Sequence, residues 1–173
     1  LAKVERAYRR PLFMQNEKQV TWRVTQENAM HLSIADNSVD AVISSPPYFG
    51  ALDYARDNRL RLWFLGTSDW KELDRSLTAS DKVYVSQMAQ CLVELNRVLK
   101  HGAYCVLVLG DVERNGTKKD TASIVSELAG QASHSQMITK FVYDDEIPDI
   151  RRSRRKTRTT KHERILVMQK VVF

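Results

Sequence analysis

Val39-Asp-Ala-Val-Ile-Ser-Ser-Pro-Pro-Tyr48 is the stretch of sequence that decides the fold. Residues 39–43 are apolar apart from Asp40 and rich in β-branched side chains, so they predict a strand. Pro46 and Pro47 donate no ladder hydrogen bonds, so that strand has to end before them. In open α/β sheets, ligands bind just beyond the carboxyl ends of strands. The stretch therefore predicts a strand and, directly after it, a binding corner.

Strand-like and helix-like segments alternate on either side of this corner. The sequence predicts further strands over residues 20–24, 103–109, 136–143 and 164–172, helices over residues 52–65, 80–100 and 121–132, and a polar loop over residues 111–119. This alternation predicts an α/β fold with a mostly parallel sheet. No helix separates the last two strands, so an antiparallel edge pair is expected. The apolar run 103–109 predicts a strand buried on both faces.

Size and composition are those of one globular domain: 173 residues, 43% hydrophobic and 28% charged. We predict residues 1–19 as an N-terminal extension and residues 20–173 as the domain. No apolar run is long enough for a transmembrane helix, and no secretory signal is recognisable.

Cys91 and Cys105 lack metal-ligand spacing and predict buried free thiols, so no metal site and a reducing, cytoplasmic location are expected. Trp22, Trp63 and Trp70 are expected to pack in the core or between helices.

The positive charge of the chain is concentrated in one segment. The net charge is +6, yet residues 151–164 alone carry eight basic residues against a single acid, Glu163. Such a patch attracts polyanions, and nucleic acid is the commonest of them. The alternative is a solvated loop that only aids solubility. We predict that the nucleic-acid-binding residues are Arg151, Arg152, Arg154, Arg155, Lys156 and Arg158.

The corner after the first strand suits a planar substrate that carries an amino group. Two consecutive prolines hold the backbone in one extended shape, so the Ser45 hydroxyl and the Pro46 carbonyl become fixed acceptors. Tyr48 lies beside them as an aromatic plate on which a ring can stack. The alternative for Tyr48 is a packing aromatic beside a tight turn.

Ser45-Pro46-Pro47-Tyr48 resembles motif IV of the amino-group DNA methyltransferases, whose pattern is Asp/Asn/Ser-Pro-Pro-Tyr/Phe. The resemblance implies a class I, Rossmann-like methyltransferase sheet, S-adenosylmethionine as cofactor, DNA as partner and a restriction–modification role. It implies methyl transfer to an exocyclic amine, cytosine N4 ahead of adenine N6, because serine in the first position is commoner in the cytosine members. The residues it assigns are Ser45, Pro46, Pro47 and Tyr48 for catalysis, and Asn28, Ala29 and Ser44 for the cofactor.

One part of that family's pattern is missing from the chain. None of its six glycines forms the Gly-x-Gly corner that seats the methionine end of the cofactor. The sheet is therefore expected to be incomplete, and the chain begins with Leu1, as a fragment would. Three interpretations stay open: the missing part lies upstream, it lies on a second chain, or the chain is a catalytically silent nucleic-acid-binding homologue. An RNA guanine-N2 methyltransferase is a further alternative.

Overall fold

The structure is a computed structural model that describes residues 21–48, 54–67, 69, 71, 72, 81–114, 117–131, 136–146 and 162–171. Its strands and helices follow in the order β1 (Val39–Ser44), α1 (Tyr54–Asp57), α2 (Arg59–Phe64), α3 (Asp81–Val98), β2 (Leu99–Gly110), β3 (Val112–Arg114), β4 (Thr117–Lys119), α4 (Thr121–Gly130), β5 (Met137–Glu146) and β6 (His162–Lys170). The proposed extension 1–19 lies outside the described residues, so the domain division at residue 20 stays a prediction.

The main sheet has four strands in the order β1-β2-β6-β5. β1 and β2 are parallel, and β6 runs antiparallel to both of its neighbours, so β5 points the same way as β1 and β2. This confirms the predicted α/β fold and the antiparallel pairing of the last two strands: three of the four strands point the same way, and β6 alone runs against them. β3 and β4 form a separate small hairpin where the sequence predicted only a polar loop.

The hydrophobic core lies on one face of this sheet. Alternate residues of β2 and β6 point inward, as the period-two spacing of strands requires, and the helices α3 and α4 pack over them. The core consists of Met88, Ala89 and Leu92 of α3, Leu99, Cys105, Leu107 and Leu109 of β2, Ala122, Val125, Leu128 and Ala129 of α4, and Met137, Leu166 and Met168. Within the described ranges, no helix is both long and apolar enough to cross a membrane.

The second face of the sheet is not fully covered, so the prediction that β2 is buried on both faces is wrong. Ile43, Val106, Val167 and Phe141 form one row across all four strands. Val167 in the middle of the row is buried, whereas Ile43 is 80% exposed and Phe141 is 59% exposed. Because α3 and α4 both pack on the first face, apolar side chains at the two edges of the second face stay in contact with solvent.

Three sequence predictions in the N-terminal half are also wrong: the strand over residues 20–24, one continuous helix over residues 52–65, and the packing of Trp22 and Trp63 in the core or between helices. Residues 21–24 are not in a strand, and Trp22 is 83% exposed, since no described strand lies alongside to pair with this segment. The helix expected over residues 52–65 is divided at Asn58 into α1 and α2. Trp63 in α2 is 66% exposed and meets Phe64 edge-to-face, with ring centroids 5.1 Å apart. Trp70 lies outside the described residues.

A buried lysine near the C-terminus fixes the entrance to β1. Lys170 is at the end of β6, and its Nζ donates to Asn37 Oδ1 at 2.7 Å, to the Asn96 carbonyl at 2.6 Å and to the Leu99 carbonyl at 2.9 Å. Burial lowers the pKa of this amine. Asn37 has φ +50°, a conformation that asparagine tolerates better than most residues. The lysine therefore ties the turn before β1 to the junction of α3 and β2.

Candidate functional site

The carboxyl ends of β1 and β2 and the start of β6 lie at the same end of the sheet. β1 ends at Ser44 and the parallel strand β2 ends at Gly110, so the residues that follow both strands lie at the same edge. β6 begins there, because Gly110 is opposite Glu163 in the ladder. The Asp111 amide donates to the His162 carbonyl at 3.0 Å and extends this pairing by one bond. This edge carries the Ser45–Tyr48 corner.

The side chains of the corner are accessible. Ser45 and Pro47 are exposed, and Pro46 and Tyr48 are half-buried. The hydroxyl of Ser45 therefore faces solvent and is not enclosed by the core.

Tyr48 makes a contact that the sequence did not predict. Its hydroxyl donates to Oε1 of Glu163, a residue 115 positions later in the chain. Glu163 is half-buried at the start of β6 and lies opposite Gly110 on one side and Asp145 on the other. The contact joins the corner after β1 to β6, an interior strand of the sheet.

Arg164, the next residue of β6, stands on the opposite face from Glu163 and is surrounded by carboxylates. Its guanidinium contacts Asp111 at 3.1 Å, Asp144 at 3.8 Å, and Asp120. Asp120 also caps α4 by accepting from the Ser123 amide at 3.0 Å. The cluster therefore ties β6 to the ends of β2 and β5 and to the start of α4.

The charges of this cluster stabilise one another. Burial by itself would raise the pKa of Asp120, but hydrogen bonds from Ser123 and Arg164 outweigh it, so the pKa is lowered. Burial would lower the pKa of Arg164, but the hydrogen bond to Asp120 and the charges of Asp111 and Asp144 raise it. Arg164 thus remains protonated and holds the start of β6 in place.

The Asn28 turn is held by a second ionic cluster. Glu94 in α3 accepts from the Leu32 amide at 2.7 Å and from Arg97 at 2.6 Å. The hydrogen bonds from Arg97 and Leu32 lower the pKa of Glu94 to about 2. Arg97 also contacts Asp36 and the Leu32 carbonyl. These contacts fasten the segment that precedes β1 to the last turns of α3.

The residues assigned to the cofactor do not all lie together. Asn28 and Ala29 are exposed, and the Asn28 carbonyl accepts from the His31 amide at 2.8 Å to close a tight turn. Through its contacts with α3, this turn lies towards the end of the sheet where β1 begins. Ser44 is exposed at the other end of β1, next to Ser45. The cofactor roles of Asn28, Ala29 and Ser44 stay predictions.

The structure describes only some of the other predicted features, which concern the basic segment, metal binding and the cysteines. The basic residues 151–158 lie outside the described residues. In the part of the chain that the structure describes, no group of three or more His, Cys, Asp or Glu side chains could hold a metal ion. Both cysteines are free, but only Cys105 is buried as predicted, whereas Cys91 is half-buried. Burial raises the pKa of the Cys105 thiol to about 12. Cys105 is therefore a core side chain without nucleophilic character at neutral pH.

Comparison with known proteins identifies the fold. No protein-family model matches the chain, and no curated protein matches it by sequence. TTHA0409, a candidate DNA modification methylase from Thermus thermophilus, matches with a TM-score of 0.53 at 16% identity, over 85% of this chain and 53% of that one. Its complex with S-adenosyl-L-methionine matches with the same score at 18% identity, over 84% and 54%. The described residues therefore have the fold of part of a methyltransferase domain, as the sequence predicted.

Coverage differs between TTHA0409 and a second matching protein. The chain spans about half the length of TTHA0409. An S-adenosylmethionine-dependent methyltransferase from Methanosarcina mazei matches at 17% identity with a TM-score of 0.49, over 98% of this chain and 76% of that one.

Sequence reasoning missed the residues that support the corner from β6. Glu163 was recognised only as a member of the charged segment, and Arg164 only as a member of that segment and as the first residue of the predicted strand 164–172. One signal was present, because Glu163 is the single acid among the basic residues 151–164. Its contact with Tyr48 depends on the position of β6 next to β2, which no local pattern encodes.

Proposed function

We propose that the chain is the target-base part of an S-adenosylmethionine-dependent DNA methyltransferase that acts on an exocyclic amine, cytosine N4 before adenine N6. The observation that carries this proposal is the exposed Ser45–Tyr48 corner, at the edge of a methyltransferase-type sheet where strand ends meet. The likeness to TTHA0409 supports the methyltransferase class. The base preference rests on serine in the first position of the motif.

The corner is suited to activate a weakly nucleophilic nitrogen. The lone pair of an exocyclic amine is delocalised into its ring, so the amine needs acceptors that pull its hydrogens out of the ring plane. The Ser45 hydroxyl and the Pro46 carbonyl would accept those hydrogens, and Tyr48 would stack on the ring. Pro47 would keep this backbone extended. The methyl group would then pass from the sulfonium sulfur of S-adenosylmethionine to the nitrogen, leaving the thioether S-adenosylhomocysteine, and the nitrogen would release one proton to solvent water.

The mechanism requires no nucleophilic side chain from the protein. The exposed and half-buried groups at the corner are acceptors and an aromatic ring, and neither cysteine adjoins it in sequence. Cys105 is enclosed in the core with a raised thiol pKa. A mechanism that attacks the base with a cysteine thiolate is therefore disfavoured.

S-adenosylmethionine would supply the methyl group as a sulfonium. Asn28, Ala29 and Ser44 are our candidates to contact it, but the described residues do not form a glycine turn for its methionine end. We propose that another segment or a second chain provides that turn beside β1. In support, β1 pairs only with β2 among the described strands, and the apolar side chain of Ile43 on β1 is 80% exposed. Such an edge accepts a further strand readily.

DNA is the proposed partner, bound in part by Arg151, Arg152, Arg154, Arg155, Lys156 and Arg158. Neutralisation of phosphates by these side chains would make binding weaken steeply with salt. A cytoplasmic restriction–modification enzyme is the biological setting that we propose, on the strength of the motif resemblance.

The test is methylation of unmethylated DNA with labelled S-adenosylmethionine, in the presence of the chain or segment that supplies the glycine turn. Ser45→Ala should lower the methylation rate by about 10²–10³-fold, the usual effect of losing one transition-state hydrogen bond, with DNA binding retained. Ser86→Ala, on the exposed side of α3, is the matched control. Nucleoside analysis by mass spectrometry distinguishes N4-methylcytosine from N6-methyladenine. Full activity in Ser45→Ala would contradict the proposal.

A catalytically silent nucleic-acid-binding homologue is the second candidate, favoured by the missing Gly-x-Gly corner. Calorimetric titration of this chain alone should show weak or no binding of S-adenosylmethionine under either proposal. The two separate when the flanking and neighbouring reading frames are searched for a glycine turn and co-expressed. DNA binding without methylation in that mixture favours the silent homologue, and methylation of RNA guanine instead of DNA favours the RNA enzyme.

A further inference from the structure

We propose that Glu163 is a positioning residue that fixes the ring of Tyr48 for stacking on the target base. This inference rests on the proposed function of the Ser45–Tyr48 corner. Glu163 would not touch the substrate itself. It would act through the hydrogen bond that the Tyr48 hydroxyl donates to its Oε1.

The hydrogen bond to Glu163 restrains the side chain of Tyr48, whose torsions the two prolines do not restrict. Pro46 and Pro47 restrict the backbone before Tyr48, but the side chain can still rotate about its own torsions. A hydrogen bond at the phenol oxygen, the atom farthest from the backbone, removes the freedom about the first torsion, χ1. The long axis of the ring is then held at both ends before a base arrives, and the preference of a phenol O–H for the plane of its own ring favours one ring plane.

Glu163 is well placed to serve as a fixed acceptor. It lies in an interior strand, with Gly110 opposite it on β2 and Asp145 opposite it on β5. Arg164, its neighbour, is held from the other face by Asp111, Asp120 and Asp144. The backbone at Glu163 is therefore anchored on three sides, so movement of Tyr48 would have to break its bond to the carboxylate.

The negative charge of Glu163 gives an independent argument for a specific role of this residue. Residues 151–164 carry eight basic side chains, and Glu163 is the one acid among them. A carboxylate in a polyanion-binding segment opposes binding, and a neutral residue there would favour it. The presence of an acid at this position therefore indicates a role that requires a negative charge. A charge-assisted hydrogen bond to a phenol is such a role, because it is about twice as strong as a neutral one.

The contact is tested first without any activity measurement. In ¹⁹F NMR of the full chain labelled with fluorotyrosine, Tyr48→Phe identifies the Tyr48 signal among the six tyrosines. Glu163→Gln and Glu163→Ala should each shift that signal, and the other signals should keep their positions. Glu127→Gln, on the exposed side of α4, is the matched control and should move none of them. An unchanged Tyr48 signal in both Glu163 variants would overturn the proposal.

The second measurement is single-turnover methylation at saturating DNA. Glu163→Ala and Tyr48→Phe should each lower the rate by about tenfold, the usual effect of losing a charge-assisted hydrogen bond. The double variant should be no slower than either single variant, because both remove the same bond. Glu163→Gln should retain part of the rate, since an amide oxygen still accepts. Tyr143→Phe, exposed on β5, is the control for loss of a hydroxyl.

Outcomes for the two proposals are distinguishable. If Ser45→Ala abolishes methylation while Glu163→Ala and Tyr48→Phe keep the full rate, the positioning role is wrong and the proposed function stands. If Ser45→Ala has no effect, the proposed function fails, whatever the NMR result. Additive losses in the double variant would also overturn the positioning role, since Glu163 would then act independently of the Tyr48 hydroxyl.

Discussion

Replacement of Arg164 by methionine should destabilise the protein strongly, because it removes the guanidinium that faces Asp111. The Asp111 side chain is 3% exposed, whereas those of Asp120 and Asp144 are 36% and 53% exposed. Removal of one partner from a buried ion pair costs about 3–5 kcal/mol. Exposed pairs contribute about 0–1 kcal/mol each, so most of the loss should come from Asp111.

Urea denaturation followed by circular dichroism measures this effect. With a slope of about 2 kcal/mol per molar urea, the transition midpoint should fall by about 2 M. Arg164→Met combined with Asp111→Asn should recover most of the stability, because no buried charge then remains without the guanidinium. Lys100→Met, which removes the exposed Lys100–Asp40 pair, should shift the midpoint little. A loss below about 1 kcal/mol for Arg164→Met, or no recovery in the double variant, would refute this reasoning.

Two further predictions concern pH and thiol chemistry. The folded-state pKa of Glu94 is about 2, below its ordinary value of 4.5, so its contribution to the free energy of unfolding is present above pH 4.5 and is lost as the pH falls towards 2. Glu94→Gln should flatten the pH dependence of urea denaturation in that window, and an unchanged slope would contradict the assignment. Cys105 is buried with a thiol pKa of about 12, so it should react with iodoacetamide at about pH 8 only on unfolding, as peptide mass mapping can show. Modification of Cys105 in the native protein would contradict its placement in the core.

Local patterns predicted those elements whose own residues carry the signal, even where their partners in the sheet are distant in sequence. α3 has an apolar stripe at helical spacing, and residues 81–98 form the expected helix. β2 and β6 are apolar runs, and both are strands. The Ser45–Tyr48 corner was also predictable, because the prolines that end β1 are part of the motif itself.

Features that depend on distant parts of the chain were not predictable in the same way. A β-branched stretch becomes a strand only if another strand pairs with it, and residues 21–24 have no such partner among the described strands. Trp63 has the spacing of a core residue but lies on the exposed helix α2. The bond between Tyr48 and Glu163 required the strand order β1-β2-β6-β5, in which the last strand in sequence is placed in the interior of the sheet.

That strand order has a consequence for synthesis on the ribosome. β2 and β5 are translated before β6, yet they become part of one sheet only when β6 enters between them. Until then, the nascent chain displays two unpaired strand edges that would bind each other, or another polypeptide, out of register. Pairing of β5 with the rest of the sheet therefore has to wait until β6 has been synthesised, and a premature stop before residue 162 would leave β5 without its partner strand.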